Sequence, residues 1–217
     1  MEIESRRHCR FALGYHFVFV TKRRRRIFHG KVEAALKRVL CEVSLACGYG
    51  LELDPDNITA CVEKGVNVIE QNLDLGLGNF ASDSFDMVVM TQALQAVHYP
   101  DLLMKEMLRV GRECIITFPN FGHWRCRWYL ASKGRMPVSE FLPYTWYNTP
   151  NIHFCTFEDF ERLCRERGAS VLERLAVDRD HKHGWGSRLW PNLLGEIGIY
   201  RVTGPGRQPV SPLEETP

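Results

Sequence analysis

Short apolar segments alternate with amphipathic segments along most of this chain, and that alternation limits the fold more than any other feature. Strand-like segments such as YGLEL, VNVIE, FDMVVM and CIITF are separated by turns or by segments with helical spacing. Strands that alternate with helices predict a doubly wound, mostly parallel sheet of the α/β class. Two late strands, Ser170 to Val177 and Glu196 to Val202, are predicted to add an antiparallel edge.

The first 47 residues differ from the rest of the chain in charge. Residues 1–47 contain 11 Lys and Arg against 4 Asp and Glu, whereas residues 48–217 contain 17 against 22. Gly14 to Thr21 predicts a buried strand, and Lys31 to Cys47 predicts a helix with one apolar stripe. We therefore predict a strand–helix head over 1–47, a body over 48–202 and a loose tail over 203–217.

Polar side chains follow three of the predicted strands, at the edge where ligands of such sheets bind. Glu52 lies near the end of the first body strand, Asp74 follows the second, and Gln92 follows the third. A carboxylate such as Glu52 can accept both hydroxyl hydrogens of a ribose, and Asp74 can accept from an exocyclic amine such as adenine N6. Two of these residues also have a simpler interpretation, Glu52 as an exposed charge and Asp74 as the cap of a turn. Together they predict a site for a nucleoside cofactor.

An aromatic and basic segment follows the CIITF strand. It reads NFGHWRCRW from Asn120 to Trp128, and it continues with Arg135, Tyr144, Trp146, Tyr147, Asn151 and His153. Such a segment can wall a small-molecule pocket or present a partner-binding surface, or its rings can pack as core over the sheet. His123 and His153 are candidate acid–base groups, although a lone histidine is more often a hydrogen-bonded structural residue.

The other patterns predict neither a metal site nor a membrane segment. Asp178, Asp180, His181 and His183 have a metal-like spacing, but they lie in a Gly-rich polar stretch that predicts a solvated loop. The eight cysteines include no CxxC pair and are interpreted as reduced thiols of a cytoplasmic protein. No apolar run approaches the ~18 residues that a membrane helix needs, and no signal peptide is predicted.

Long stretches of the body resemble the MetW family of methionine biosynthesis. They read GYGLELDPDNITACVEKGVNVIEQNLDLGL, FDMVVMTQALQAV, EMLRVGRECIITFPNFGHWRCR and GRMPVSEFLPYTWYNTPNIHFCTFEDFERLC, and the likeness runs from Gly48 to about Val202. The resemblance implies a class I methyltransferase-like (Rossmann-like) fold whose cofactor is S-adenosylmethionine. It also implies a role in supporting a homoserine O-acyltransferase as a protein partner.

The resemblance to MetW lacks the motif that opens the family. Family members begin with a strand and a DLGCGxG-type loop, whose glycines let the backbone approach the cofactor and whose following helix favours its carboxylate. Nothing of that form precedes Gly48, and the LGLG of Leu75 to Gly78 follows a later strand. We therefore expect the binding of S-adenosylmethionine at Glu52, Asp74 and Gln92 to be impaired.

The head resembles a different family. HCRFALGYHFVFVTKRRRR and KVEAALKRVLCEV are similar to the N-terminus of small tyrosine transposases that act on repetitive palindromic elements. Those enzymes need a histidine pair after the helix, whereas the corresponding region here reads PDNIT from Pro55 to Thr59. The resemblance therefore implies no catalytic residue, and the chain is interpreted as a chimera.

The head offers the two elements that the body lacks, a strand and a helix. A right-handed strand–helix–strand crossover would place Gly14 to Thr21 beside Tyr49 to Leu53, with Phe17 and Phe19 buried there. The loop at the ligand edge would then read TKRRRRIFHG, and its bulky arginines are poor substitutes for glycines.

These observations leave three interpretations of function. The first is a MetW-like partner of a homoserine O-acyltransferase with weak cofactor binding. The second is a nucleic-acid-binding protein in which Arg6, Arg7, Arg10 and Lys22 to Arg26 neutralise phosphates, although no base-reading element is evident. The third is a recombination product with little function. The sequence favours the first.

Overall fold

A computed structural model describes residues 16–20, 49–52, 55–63, 67–138, 142, 144–149, 151–177 and 185–207. Within these ranges the strands are β1 (His16–Val20), β2 (Tyr49–Glu52), β3 (Val68–Glu70), β4 (Phe85–Thr91), β5 (Gly111–Pro119), β6 (Ser170–Val177) and β7 (Ile197–Thr203). The helices are α1 (Pro55–Glu63), α2 (Pro100–Val110), α3 (Trp124–Lys133), α4 (Phe157–Glu166), α5 (Trp185–Leu189) and α6 (Pro191–Leu194), with a short 3-10 turn at Leu73–Leu75.

The described strands form one sheet with the order β3-β2-β1-β4-β5-β7-β6. β2 pairs with β3, and β4 with β5, in parallel, whereas β1 and β7 are each antiparallel to both of their neighbours. Five of the strands (β2 to β6) therefore point in one direction, and β1 and β7 point in the other. This arrangement confirms the predicted α/β sheet and the antiparallel edge formed by β6 and β7.

The predicted head strand lies beside β2, in the position that the body leaves open. Phe17 pairs with Leu51 on one side and with Met90 on the other, so β1 lies between β2 and β4. The predicted position is confirmed. The predicted parallel crossover is wrong, because β1 is antiparallel to both neighbours, and a right-handed crossover joins parallel strands.

The direction of β1 places its two ends at the opposite edges from those predicted. His16 pairs with Thr91 at the carboxyl end of β4, whereas Val20 pairs with Met87 near its amino end. The chain therefore leaves β1 at the amino edge, so the prediction that TKRRRRIFHG follows at the ligand edge is wrong. That segment itself, the predicted Lys31 to Cys47 helix and the side chains of Phe17 and Phe19 lie outside the described residues.

One face of the sheet forms a core with α2 and α4. Phe118, near the end of β5, lies against the rings of Phe157 and Phe160 on α4 and stacks on Tyr200 of β7, with centroid separations of 6.0, 5.0 and 5.7 Å. Met104 and Met107 of α2 are buried in the same cluster. This aromatic packing fixes the carboxyl end of β5, from which the aromatic and basic segment continues.

Helix α4 begins with a capping box formed by Thr156 and Asp159. The Thr156 hydroxyl accepts from the backbone N–H of Asp159 at 3.2 Å, and the Asp159 carboxylate accepts from the backbone N–H of Thr156 at 3.1 Å. Two amide groups that the first helical turn leaves unpaired are satisfied in this way. The cap fixes where α4 starts and thus how Phe157 and Phe160 enter the core.

Helix α3 is an element that the sequence pattern does not reveal. Cys126 is its one buried residue, so the apolar stripe that indicates an amphipathic helix is missing. The helix ends at Gly134, whose φ of 60° is in the left-handed region that glycine adopts without strain. A helix with so little buried surface depends on its ends for its position.

Candidate functional site

The predicted site residues lie at the sheet edge where β2, β3, β4 and β5 end. Glu52 closes β2 and is only 4% exposed, so its interpretation as an exposed charge is wrong. The backbone N–H of Gln71, just after β3, donates to the carbonyl of Glu52 at 3.0 Å. This bond holds the chain that leads to Asp74 against the end of β2.

Asp74 lies in the 3-10 turn, where His98 engages its carboxylate. Its Oδ1 accepts from the backbone N–H of His98 at 2.7 Å, and its Oδ2 lies 2.7 Å from His98 Nδ1. The turn is capped by Asn72, whose Oδ1 accepts from the backbone N–H of Asp74 at 3.0 Å. The carboxylate predicted to receive an adenine amine is therefore bound to the loop that follows β4.

The contact with His98 has a consequence for acid stability. Burial raises the pKa of the Asp74 carboxyl, but the hydrogen bonds from His98 outweigh burial and the pKa is lowered. A carboxyl whose pKa is lower in the folded than in the unfolded chain stabilises the fold above about pH 4, and this stabilisation is lost as pH falls through the folded pKa. We expect Asp74→Asn to weaken the fold near neutral pH and to reduce its further loss of stability in acid.

Urea unfolding at about pH 6 and about pH 3 measures this effect. The wild-type midpoint should fall more between the two conditions than the Asp74→Asn midpoint does. Glu70→Gln removes the same charge from an exposed position on β3 and serves as the control. Equal falls for the wild type and Asp74→Asn would contradict the hydrogen-bonded carboxylate.

Gln92 turns the chain sharply at the end of β4. Its φ of 48° lies in the left-handed region that residues other than glycine rarely adopt. Its backbone N–H donates to both the carbonyl and the hydroxyl of Thr117 on β5, each at 3.0 Å, and its carbonyl accepts from Gln95 Nε2 at 2.8 Å. Residues held in a strained conformation by such contacts cluster at functional sites. The side chain of Gln92 is exposed at this edge.

Sequence reasoning missed Gln95, which holds the segment from Asn151 to His153 beside the strand ends. Gln95 is buried, and its carbonyl accepts from the backbone N–H groups of Ile152 and His153 at 2.8 and 2.9 Å. His153 Nε2 lies 3.3 Å from the carbonyl of His98. These bonds use the main-chain carbonyl of Gln95, which a residue of any type could supply, so the sequence TQALQAV gave no signal for them.

Asn120 organises the chain that follows β5. It is fully buried, and its Nδ2 donates to the carbonyls of Asn192 and Gly195 at 3.0 and 2.8 Å. Its Oδ1 accepts from the backbone N–H of Gly122 at 2.9 Å. One amide side chain thus joins the end of β5 to α6 and to the segment that leads into β7.

His123 is a structural residue at the start of α3. Its Nδ1 accepts from the backbone N–H of Arg125, and only 3% of its surface is exposed. Burial, with a smaller contribution from the charge of Arg125, lowers the pKa of His123 to about 4. The imidazole is therefore neutral near pH 7, which favours the structural interpretation over an acid–base role.

The rings of the aromatic and basic segment point largely to solvent. Trp128 is 69% exposed, and Trp146 and Tyr147 are each 73% exposed, so the interpretation of these rings as core is wrong. A cavity lined by Met136, Pro137, Tyr144, Trp146 and Phe154 encloses about 20 Å³. That volume has room for about one water, whereas a small-molecule site needs about 300 Å³ or more.

The described cysteines Cys114, Cys126, Cys155 and Cys164 are free thiols. Burial raises the pKa of Cys126 to about 11 and the pKa values of Cys155 and Cys164 to about 12. Within the part of the chain that the structure describes, no group of three or more metal-binding side chains occurs, and no helix has the length and hydropathy to cross a membrane. Asp178, Asp180, His181 and His183 lie outside that part.

The family model described as methionine biosynthesis protein MetW matches residues 19–202 of this chain. This chain belongs to the MetW family. The MetW match begins inside β1, upstream of Gly48, and it includes β2 to β6 and all of β7 except Thr203.

A relative from Rhodopirellula baltica is described as a bifunctional methionine biosynthesis protein MetXA/MetW. It is 37% identical over 145 residues, which cover 66% of this chain and 22% of the relative. The matched region thus spans about a fifth of the relative, whose name gives it a MetXA as well as a MetW function.

Solved methyltransferase structures share the fold of this MetW chain. A SAM-dependent methyltransferase of Thermotoga maritima has a TM-score of 0.52 and 19% identity, over 76% of this chain and 75% of its own. A chain from the complex between the Haloferax volcanii Trm112 methyltransferase activator and a methyltransferase has a TM-score of 0.51 and 12% identity. The match covers 81% of this chain and 79% of that chain. At these identities the likeness shows the fold alone, which is that of class I methyltransferases.

A methyl-donor cofactor needs backbone donors at the carboxyl edge of such a sheet. The fold grips such a cofactor through a glycine turn that follows the strand between β2 and β4 at their carboxyl edge. In this chain β1 occupies that position but enters it from the carboxyl edge, with His16 beside Thr91. β1 therefore ends at the amino edge, away from the position of that turn, and the Asp74 carboxylate is already engaged by His98.

Proposed function

We propose that this MetW-family chain acts in methionine biosynthesis as a supporting protein for a homoserine O-acyltransferase rather than as a methyltransferase. The observation that favours this proposal most is the relative that joins MetXA and MetW functions in one polypeptide. Functions that one protein combines are often performed by separate chains that associate. The exposed aromatic surface around α3 supports association with another protein.

The second part of the proposal is that S-adenosylmethionine binds weakly or not at all. Three observations support weak binding. β1 is antiparallel to its neighbours, and the Asp74 carboxylate is bound by His98. Gln92 uses its main-chain groups to contact Thr117 and Gln95. Glu52 remains at the end of β2 as the candidate ribose ligand. A single carboxylate without the backbone donors of a glycine turn gives little affinity for the amino-acid end of the cofactor.

Isothermal titration with S-adenosylmethionine tests the cofactor part. We expect a dissociation constant weaker than about 1 mM, which corresponds to only about −4 kcal/mol. Glu52→Gln should give the same result as the wild type, because the carboxylate has no bound ribose to lose. A MetW-family protein that retains the glycine turn serves as the positive control. A low-micromolar dissociation constant for this chain, weakened by Glu52→Gln, would overturn the proposal.

Biolayer interferometry tests the partner part. The immobilised full chain is titrated with the homoserine O-acyltransferase of the same organism, and the acyltransferase rate is measured with and without the chain. We expect saturable binding and a higher rate in the presence of the chain. No binding at micromolar concentrations, together with an unchanged rate, would contradict a supporting role.

A further inference from the structure

Several large aromatic side chains of this molecule are exposed although their burial would be favourable. Trp128, Trp146 and Tyr147 each expose more than two thirds of their surface, and Trp124 exposes 45%. A buried aromatic side chain removes about 150–250 Å² from water, so leaving several exposed has a large energetic cost. Apolar surface concentrated in this way marks sites of protein association.

Helix α3 and the turn from Tyr144 to Asn148 carry these rings, and together we call them the α3 surface. Trp124 and Trp128 are four residues apart on the helix and therefore share a face. Phe121, just before α3, lies 4.7 Å from Phe154 between ring centroids. Phe154 lines the small cavity together with Trp146 from the turn and with Met136 and Pro137, just after α3.

Local contacts position the first turn of α3. Arg127 Nε donates to the carbonyl of Gly122 at 2.5 Å, and the Arg125 guanidinium lies 3.7 Å from the carboxylate of Glu196. The same guanidinium lies over the Trp124 ring, 5.6 Å from its centroid. Together with Asn120, these contacts fix the first turn of α3, and a binding surface that is positioned in advance lowers the entropic cost of binding.

The charge of the α3 surface restricts its partner. Residues 119–157, which include the α3 surface, contain four basic residues, Arg125, Arg127, Lys133 and Arg135, against one acidic residue, Glu140. Arg125 is paired with Glu196 from outside this range, so the basic character comes mainly from the other three. The chain from residue 48 onward is acidic as a whole, with 17 Lys and Arg against 22 Asp and Glu. A basic patch with Trp and Tyr at its centre fits an apolar hollow with an acidic rim, since Trp, Tyr and Arg dominate the binding energy of protein interfaces.

We propose that the α3 surface is where this chain binds the homoserine O-acyltransferase, with Trp128 and Trp146 as the central contacts and Arg135 at the rim. This inference rests on the proposed function, which names the partner, and it adds the location and chemistry of the contact. The acyltransferase presents an apolar hollow bordered by Asp and Glu side chains to this surface.

The test compares binding of the acyltransferase to the wild type and to four variants of the full chain. Trp128→Ala/Trp146→Ala should weaken binding by about a hundredfold, because central aromatic contacts dominate interfaces. Leu75→Ala/Leu102→Ala removes two exposed apolar side chains, 80% and 53% exposed, outside the α3 surface and should bind as the wild type does. Circular dichroism and urea midpoints verify that all forms are folded.

Two charge-reversal variants test whether Arg135 lies at the rim of the contact. Arg135→Glu should weaken binding and reduce its dependence on salt, because it removes a favourable long-range attraction. Arg162→Glu makes the same charge change on α4, at a residue that pairs with Glu166 on the surface, and should have a smaller effect.

The outcomes separate this inference from the proposed function. Wild-type binding that the tryptophan double variant retains would overturn the α3 surface and leave the proposed function standing. No binding by the wild type would overturn both. Tight binding of a single-stranded RNA 20-mer that the tryptophan double variant abolishes, without binding of the acyltransferase, would identify the surface as a nucleic-acid site and overturn the inference.

Discussion

Replacing Phe118 with alanine is expected to lower the free energy of unfolding by about 4 kcal/mol. The ring is fully buried and lies against Phe157, Phe160 and Tyr200 at centroid separations of 5.0 to 6.0 Å. Alanine would lose these contacts and leave a cavity between β5, α4 and β7 that the rigid sheet cannot fill. Urea unfolding of the full chain, followed by tryptophan fluorescence and circular dichroism, measures the change.

The matched control is Leu102→Ala on α2. Leu102 is 53% exposed, so its truncation should change the free energy of unfolding by less than about 0.5 kcal/mol. A loss below about 1 kcal/mol for Phe118→Ala would mean that the ring does not fill the core as described.

Replacing Asn120 with alanine is expected to lower the free energy of unfolding by about 3 kcal/mol. The substitution leaves the carbonyls of Asn192 and Gly195 and the N–H of Gly122 without the buried side chain that each contacts. Buried polar groups without a partner are costly because water cannot replace the lost bond. The loosened chain should also reduce affinity for the acyltransferase, since Asn120 fixes the segment from which α3 begins.

Two further variants isolate the cause. Asn120→Asp keeps the size of the side chain but turns the donor that faces two carbonyls into an acceptor, so it should destabilise at least as much as alanine. Asn148→Ala is the control, because it removes an exposed asparagine whose Oδ1 accepts from Thr145. Water can replace those bonds, so the free energy of unfolding should change much less than with Asn120→Ala. If Asn120→Asp proved as stable as the wild type, the donated hydrogen bonds would not be important for the fold.

The local sequence was sufficient to predict most of the elements. Predicted and observed bounds coincide for β6, and the capping box of α4 follows directly from Thr156 and Asp159. Such features depend on residues close together in the chain, where periodicity and cap chemistry are strong signals. Helix α3 escaped prediction because residues 124–128 read WRCRW, an alternation of apolar and basic residues that does not form a helical apolar stripe.

The sequence also indicated which strand ends to consider but not what their residues contact. Glu52, Asp74 and Gln92 lie at the expected edge, yet the partner of Asp74 is His98, 24 residues further along the chain. Gln95 and Asn120 are important through main-chain groups supplied by distant segments. Side-chain type alone does not reveal such partners, because the fold brings them together.

The direction of β1 is the clearest case of a property that only tertiary structure decided. The sequence by itself determined a strand at His16–Val20 and a family relationship over most of the chain. Side chains alternate with a period of two whichever way a strand runs, so the apolar pattern fits a parallel and an antiparallel neighbour equally well. The antiparallel direction of β1 is fixed by its hydrogen bonds to β2 on one side and to β4 on the other. This direction determines which end of β1 lies at the candidate site.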